Sequence, residues 1–379
     1  MVYLTSAFIN AIIPYLFLLS IEYDYDDAVN KIPFSQLYHS ISARYMDYGK
    51  PYRSGMDYVK TGPIEEYNPS IHKTDIIIMS GASSNHVATL FSCLLSFSMA
   101  FPHSSLVFMD YGITEKEQCE LNTILRLIHR FHVAEESNAI LYYRKYNWNS
   151  FPDWMHIRDP RMHGGYTWKP ISIADVFNQW KAVVMWQDAG NHYHPNCLKG
   201  IDAMRKEGAY MPWDPVPMNM RFSDEAFSFL VEHKFIHPFD RSKHNMGGAA
   251  YLLFDYRNET CRNRVFIPWV QCAYTRRCMT LKGLTFRQHL PEQGVLSTLL
   301  ISTGMVSSCK KETLYAPTYW LDRKSRKVID KQLEMDLTQM GKQLGEPLSV
   351  GQVFNQCWFV CYSDSWEVVR SEVRIHCPL

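Results

Sequence analysis

Lys169, Asp188 and the pair Glu292-Gln293 are the residues whose types and settings could do chemistry. Lys169 lies in Tyr166-Thr167-Trp168-Lys169-Pro170, an aromatic-basic cluster whose proline suits the first turn of a helix. Asp188 follows the apolar run of residues 182–186 and precedes Ala189-Gly190. A carboxylate at the carboxyl end of a buried strand, followed by a glycine, is where open α/β sheets place ligands. The plain alternative is an aspartate that caps the strand and a glycine that makes the turn. Glu292, with His289 shortly before it, offers a carboxylate for acceptor positioning or proton acceptance, a role that needs reach and a tuned pKa. Equally, a carboxylate in the first turn of a helix is stabilised by the helix dipole alone. Asn191-His192-Tyr193-His194 adds two imidazoles close to Asp188, ordinary metal-ligand types that are also ordinary loop residues.

The elements that must position these groups read as alternating strands and helices. Residues 74–80 form a continuous apolar strand running into the small polar turn Gly81-Ala82-Ser83-Ser84-Asn85-His86, and a helix follows over 87–97. That turn lacks both the G-x-G-x-x-G and the G-x-x-x-x-G-K patterns, so Ser84 and Asn85 read either as ligand contacts or as helix caps. Residues 105–109 make a second strand ending at Asp110, and Thr114 with Glu117 forms a capping box for a helix to about 132. A third strand is expected at 139–143, a Trp/Pro/His-rich loop at 148–166, and a helix followed by the 182–186 strand. Helices are expected at 198–207, 222–229, from 287 to 301, and at 329–343. Such alternation predicts an α/β fold, Rossmann-type, with a mainly parallel central sheet flanked by helices.

Residues 2–21 carry no charged side chain and are followed by acidic residues from Glu22, a length that suits a transmembrane helix. An amine inside and acids outside favour a type II signal-anchor over a cleaved signal peptide; a buried helix of a soluble protein is the third reading. The expected organisation is an anchor at 1–21, a proline- and tyrosine-containing stem at 22–72, a catalytic domain at 73–320 and a C-terminal extension packed on the core at 321–379. With 39 Lys+Arg against 38 Asp+Glu, no basic field points to nucleic acid, and none is expected as a partner. Ten cysteines without paired C-x-x-C clusters argue against a structural zinc site; Cys272 with Cys278 and Cys357 with Cys377 are candidate disulfides in an oxidising lumen. Asn258-Glu259-Thr260 is an N-glycosylation sequon, usable in the same compartment.

Three segments, taken in order, resemble one family. The Lys169 segment, its helix and the strand ending in Asp188-Ala189-Gly190 resemble the donor-site core of glycogenin-like glycosyltransferases of the GT-A fold. Asn245-Met246-Gly247-Gly248 resembles that family's Asn-x-Gly segment, and Pro291-Glu292-Gln293-Gly294-Val295-Leu296 its Asp-Gln-x-x-Leu helix start. The chain is also similar to a eukaryotic group of GT-A-like proteins sharing Trp-Lys-Pro, Asp-x-Gly and a His followed by Asp/Glu-Gln. The resemblance covers residues 74–305 and implies a membrane-anchored transferase of the Golgi or endoplasmic reticulum, single-pass type II, with a lumenal site. Its donor would be a UDP- or GDP-sugar and its acceptor a glycan, protein or lipid. Gly81, Ser83, Ser84, Asn85 and Asp110 would hold the nucleoside, Asp188 the diphosphate or its Mn²⁺ or Mg²⁺, and Lys169 would add positive charge. Asn245, Gly247, Gly248 and Gln293 would line the sugar pocket, with Glu292 and His289 at the acceptor. One departure stands out: Gly190 occupies the place of the family's second metal-binding aspartate, which leaves open a metal held by Asp188 with waters, a metal-independent site in which Lys169 and arginines such as Arg287 substitute, or a fold that binds carbohydrate without catalysis. A hydrolase is disfavoured, because there is no G-x-S-x-G elbow.

Overall fold

The computed structural model describes residues 46–47, 51–52 and 76–354, apart from 147, 149–150, 152, 159–161, 280–282, 286–287, 306–317 and 322–323. The anchor and stem expected at 1–72 lie almost wholly outside the described residues, as do Arg287 and every cysteine after Cys278. Among the described residues no helix is long and apolar enough to cross a membrane.

Four parallel strands make the middle of the sheet: β3 (Ile76–Ala82), β4 (Leu106–Asp110), β5 (Leu141–Tyr146) and β6 (Val183–Asp188). Their near-continuous apolar runs are what a sheet covered on both faces demands. The order is β5-β4-β3-β6. From β3 the chain steps outward through β4 and β5, then returns past β3 to β6, so the direction of winding reverses between β3 and β6. A crevice opens outside the carboxyl ends of the strands at such a reversal. The register sets Gly81 beside Asp188 and Ala82 beside Asp110 there.

Antiparallel strands finish the sheet. On β6 lies β11 (Tyr251–Asp255), with β8 (Ala209–Tyr210) beyond it. On β5 lie the two-residue strands β1 (Met46–Asp47) and β2 (Pro51–Tyr52). The alternating α/β order is as read from sequence; these antiparallel margins carry too few residues to show a period. There are two small ribbons, β9 (Trp213–Pro217) with β10 (Asn245–Gly247) and β7 (Asn191–Tyr193) with β12 (Thr318–Trp320); β10 leads into the amino end of β11, and β7 follows the carboxyl end of β6.

Helix α1 (Val87–Ala100) is buried along most of its length. It lies against the sheet with α2 (Glu115–Ala134) and α8 (Arg326–Leu344), which lays Leu333, Leu337 and Met340 into the same apolar cluster as Leu90, Leu94 and Phe97. The Thr114 capping box forms both of its bonds: Glu117 N–H donates to Thr114 Oγ1 at 3.3 Å and Thr114 N–H to Glu117 Oε2 at 2.7 Å. A second core joins α3 (Trp168–Trp180), Phe266 and α6 (Ile267–Ala273) to β11 through packed rings, Phe177 on Phe266 at 4.1 Å and Phe254 on Trp269 at 5.5 Å, and Trp269 Nε1 donates at 2.9 Å to Glu292 O on α7 (Pro291–Ser302). Helix α4 (Cys197–Glu207) and helix α5 (Asp224–Glu232) complete the elements used below.

Cys272 and Cys278 form the expected disulfide, while Cys93, Cys197 and Cys261 are buried thiols. The sequon asparagine is built into the fold. Asn258 Oδ1 accepts from Cys261 N–H at 2.9 Å and its Nδ2 reaches Glu207 O at 3.4 Å. Gly208 packs so close that a Cβ there would lie 2.3 Å from Asn258 Cγ.

Candidate active site

Three elements deliver one ion cluster to the β3/β6 crevice. Strand β6 ends in Asp188, the first turn of α3 carries Lys169, and the first turn of α7 carries Glu292. Lys169 Nζ lies 3.0 Å from Asp188 Oδ1 and 3.0 Å from Glu292 Oε1, and donates to Ala249 O at 3.1 Å. The three donors of the ammonium are therefore all engaged. The rings of Trp168 and Trp186 flank it at 5.7 and 5.8 Å, faces that favour a cation.

Burial grades the cluster. The side chains of Lys169 and Glu292 are 4% and 5% exposed, that of Asp188 37%, so Asp188 is the member that a ligand meets. Burial alone would lower the Lys169 pKa, but Asp188 and Glu292 outweigh it and raise it, so the ammonium stays charged. Burial likewise raises the Glu292 pKa, with Lys169 pulling in the opposite direction.

The remaining sequence-derived candidates fall into two groups. Ser84 and Asn85 stand exposed beyond β3, with Ser84 Oγ donating to Glu117 Oε2 at 2.6 Å and Ser83 Oγ to Asn85 Oδ1 at 2.6 Å. Asn245, Gly247 and Gly248 lead through β10 directly to Ala249, whose carbonyl holds Lys169, and Gly247 N–H donates to Ser297 Oγ on α7 at 2.9 Å. Gln293 Nε2 donates to Asp214 Oδ2 at 3.1 Å, tying α7 to β9.

Three candidates are placed differently from their expected roles. Asp110 is 1% exposed and its carboxylate accepts from Gly112 and Ile113 N–H and from the Tyr143 hydroxyl, which builds the turn before α2. Gly81 is a glycine because of Tyr111: a Cβ would lie 2.4 Å from that ring and 2.8 Å from Met109 O. His289 is fully buried against the Phe222 ring, and its Nδ1 accepts from Ser223 N–H at 3.3 Å. Burial lowers its pKa to about 4, so it is a neutral core imidazole.

Sequence reasoning missed Trp186, whose indole N–H donates to Asp188 Oδ1 at 2.6 Å. The signal was present, since residues two apart on a strand share a face. It also missed the approach to Lys169. His163, Gly164, Gly165 and Tyr166 all have positive φ, at 49°, 64°, 62° and 56°. Gly164 cannot carry a side chain, because a Cβ would lie 2.0 Å from Met155 O. Tyr166 ends this left-handed run with its ring 6.0 Å from that of Trp168, and burial raises its hydroxyl pKa.

The donor set does not fit a divalent cation. Among the described residues no three His, Cys, Asp or Glu side chains group as metal ligands. Asp188 Oδ1 is held by Lys169 and Trp186, and Glu292 faces Lys169. Asn191 Nδ2 donates to Ala250 O at 2.6 Å, His192 Nε2 pairs with Asp336 Oδ1 at 2.9 Å, and His194 Nδ1 accepts from Asn196 N–H at 3.1 Å. Asp188 offers a divalent cation one carboxylate, whose Oδ1 Lys169 and Trp186 already take, so water and phosphate oxygens would have to supply the rest of the shell.

No protein-family model matches the chain, and no curated protein matches it. Among solved structures, the chain is similar to the WbbM bifunctional glycosyltransferase at 11% identity and a TM-score of 0.38, with 62% of this chain and 38% of that one covered. It thus spans little more than a third of WbbM. It is similar to the mannosyltransferase Ktr4p from S. cerevisiae at 9% identity, with a TM-score of 0.41 and coverage of 74% and 76%. It is also similar to core-mannan synthase A from Aspergillus fumigatus in its Mn/GDP form, at 10% identity, with a TM-score of 0.37 and coverage of 67% and 79%.

Proposed function

We propose that the protein is a glycosyltransferase that moves a sugar from a UDP- or GDP-sugar to a glycan, protein or lipid acceptor. The observation that carries this reading is convergence. Three segments that resemble one family separately, around Lys169-Asp188, Asn245–Gly248 and Glu292-Gln293, meet at one ammonium in the switch-point crevice. The donor lies over the ends of β3 and β6, its nucleoside toward the exposed Ser84 and Asn85 and its diphosphate toward Asp188 and Lys169. The departing diphosphate gains negative charge, and a fixed cation in a site shielded from water stabilises that charge without reorganising. Gly248 leaves room for the sugar, since a Cβ there would meet only Pro212, at 3.9 Å. Glu292, expected at the acceptor, holds Lys169 from behind with its side chain 5% exposed, and burial raises its pKa. A lumenal, membrane-anchored setting goes with this reading; the uncharged residues 2–21 and the Cys272–Cys278 disulfide support it.

A second reading is favoured by the saturation of Lys169, whose donors all end on protein atoms. In it the fold binds carbohydrate without catalysis. Radiolabelled UDP- and GDP-sugars offered with pooled glycan, peptide and lipid acceptors separate the two. Labelled acceptor that disappears with Lys169→Met/Glu292→Gln supports the transferase. A rise in melting temperature with oligosaccharides, but with no nucleotide sugar, would establish the binding protein instead.

A further inference from the structure

We propose that the Lys169 ammonium is the resident cation of the donor site, and that a nucleoside diphosphate binds there without a divalent ion by taking over the N–H that Asp188 now accepts. This rests on the transferase reading and specifies its charge chemistry. It begins from the donor set: among the described residues no three side chains group as metal ligands, and Asn191 and His192, next along the chain from Asp188, bond to Ala250 O and Asp336.

The geometry of the ammonium supplies the rest. Glu292 and the Ala249 carbonyl hold it from the buried side, at 3.0 and 3.1 Å, and neither faces solvent. The Asp188 bond is on the accessible side, at 3.0 Å. Asp188 also accepts from Trp186 Nε1 at 2.6 Å, so it keeps a charge-assisted hydrogen bond when Lys169 turns one donor to a phosphate oxygen. The other two ammonium bonds remain, and the cation does not move.

Charge makes the idea decisive. Lys169 and Glu292 together are neutral, and Asp188 adds a negative charge on the face where a diphosphate must arrive. Asp188 is thus a competitor for the ammonium, not a bridge to a metal. Two like charges a few ångströms apart repel appreciably even at a surface. Removing the competitor should strengthen diphosphate binding, whereas removing a metal ligand should abolish it.

The test is calorimetric titration of the full-length protein in detergent with UDP and GDP, in EDTA and in Mn²⁺, for the wild type, Asp188→Asn and Lys169→Met/Glu292→Gln. The double variant leaves no unpaired buried charge and is checked by its cooperative melting. The expected result is one nucleotide bound equally in both buffers, about tenfold tighter in Asp188→Asn and about tenfold weaker or lost in the double variant. Binding that appears only with Mn²⁺ and vanishes in Asp188→Asn overturns this inference and leaves the transferase standing. Binding in EDTA that Asp188→Asn abolishes also overturns it, because Asp188 is then a contact and not a competitor. Failure of both nucleotides in both buffers overturns the transferase reading and this inference with it.

Discussion

Glu292 Oε1 stands 3.0 Å from Lys169 Nζ, with 5% of one side chain and 4% of the other exposed. A pair this deep is costly to break from one side only. Lys169→Met should destabilise the fold by about 3–5 kcal/mol, because it leaves the Glu292 charge buried and alone. Glu292 can escape by keeping a proton, which the unfolded chain releases at its ordinary pKa. The folded state then binds more protons than the unfolded one, so the deficit grows as pH rises and shrinks in acid. Urea denaturation across pH, with Lys169→Met/Glu292→Gln recovering most of the loss, checks both statements.

Trp186→Phe keeps an aromatic ring on β6 and removes the N–H that Asp188 accepts. A hydrogen bond to a charged acceptor contributes about 1.5–3 kcal/mol, and Asp188, a third exposed, recovers part of that from water. We expect a loss of about 1 kcal/mol by chemical denaturation. A loss comparable to that of a core truncation would mean that the indole acts through packing alone.

His132 and His289 set the acid limit of the fold. Burial lowers both pKa values from 6.5 to about 4. Between those pH values the unfolded chain binds protons that the folded one does not, so the stability present above pH 6.5 is lost as pH falls toward 4. Each histidine accounts for about 3 kcal/mol of that loss. Neither ring nitrogen of His132 has a hydrogen-bond partner among the described residues. His132→Leu should therefore remove the His132 share of the acid slope and raise the melting temperature at neutral pH.

Two glycines at the crevice should respond in opposite ways. Gly81→Ala drives a Cβ to 2.4 Å from the Tyr111 ring and 2.8 Å from a backbone oxygen, whereas Gly248→Ala meets nothing nearer than 3.9 Å. The first should cost about 1–3 kcal/mol in thermal denaturation and the second little. Any loss of ligand binding in Gly248→Ala then reports on the pocket, not on the fold.

Local chemistry made much of this legible. The capping box at Thr114, the strand that ends at Asp188 and the Cys272–Cys278 bridge each follow from neighbouring residues. What depended on partners did not. Strand β3 continues through Gly81 and Ala82 because Asp188 and Asp110 lie beside them, and β6 takes in Gln187 because Tyr251 pairs with it. Asp110 looked like a strand-end ligand, but its acceptors are filled by a turn and by Tyr143. The link between Lys169 and Glu292 joins helices far apart in the chain, and no periodicity encodes it. The left-handed conformation of His163 and Tyr166 runs against the preference of both residue types, so only the packing around Gly164 reveals it.

Asn258 ties chemistry to time. Its amide closes the turn between Glu207 and Cys261, with Gly208 against its side chain. A sugar joined to that nitrogen replaces one of its two hydrogens, so a modified Asn258 keeps a single N–H for Glu207 O. Occupancy at Asn258 would then act as a clock, weighing modification of the nascent chain against the closing of this corner between α4 and the end of β11.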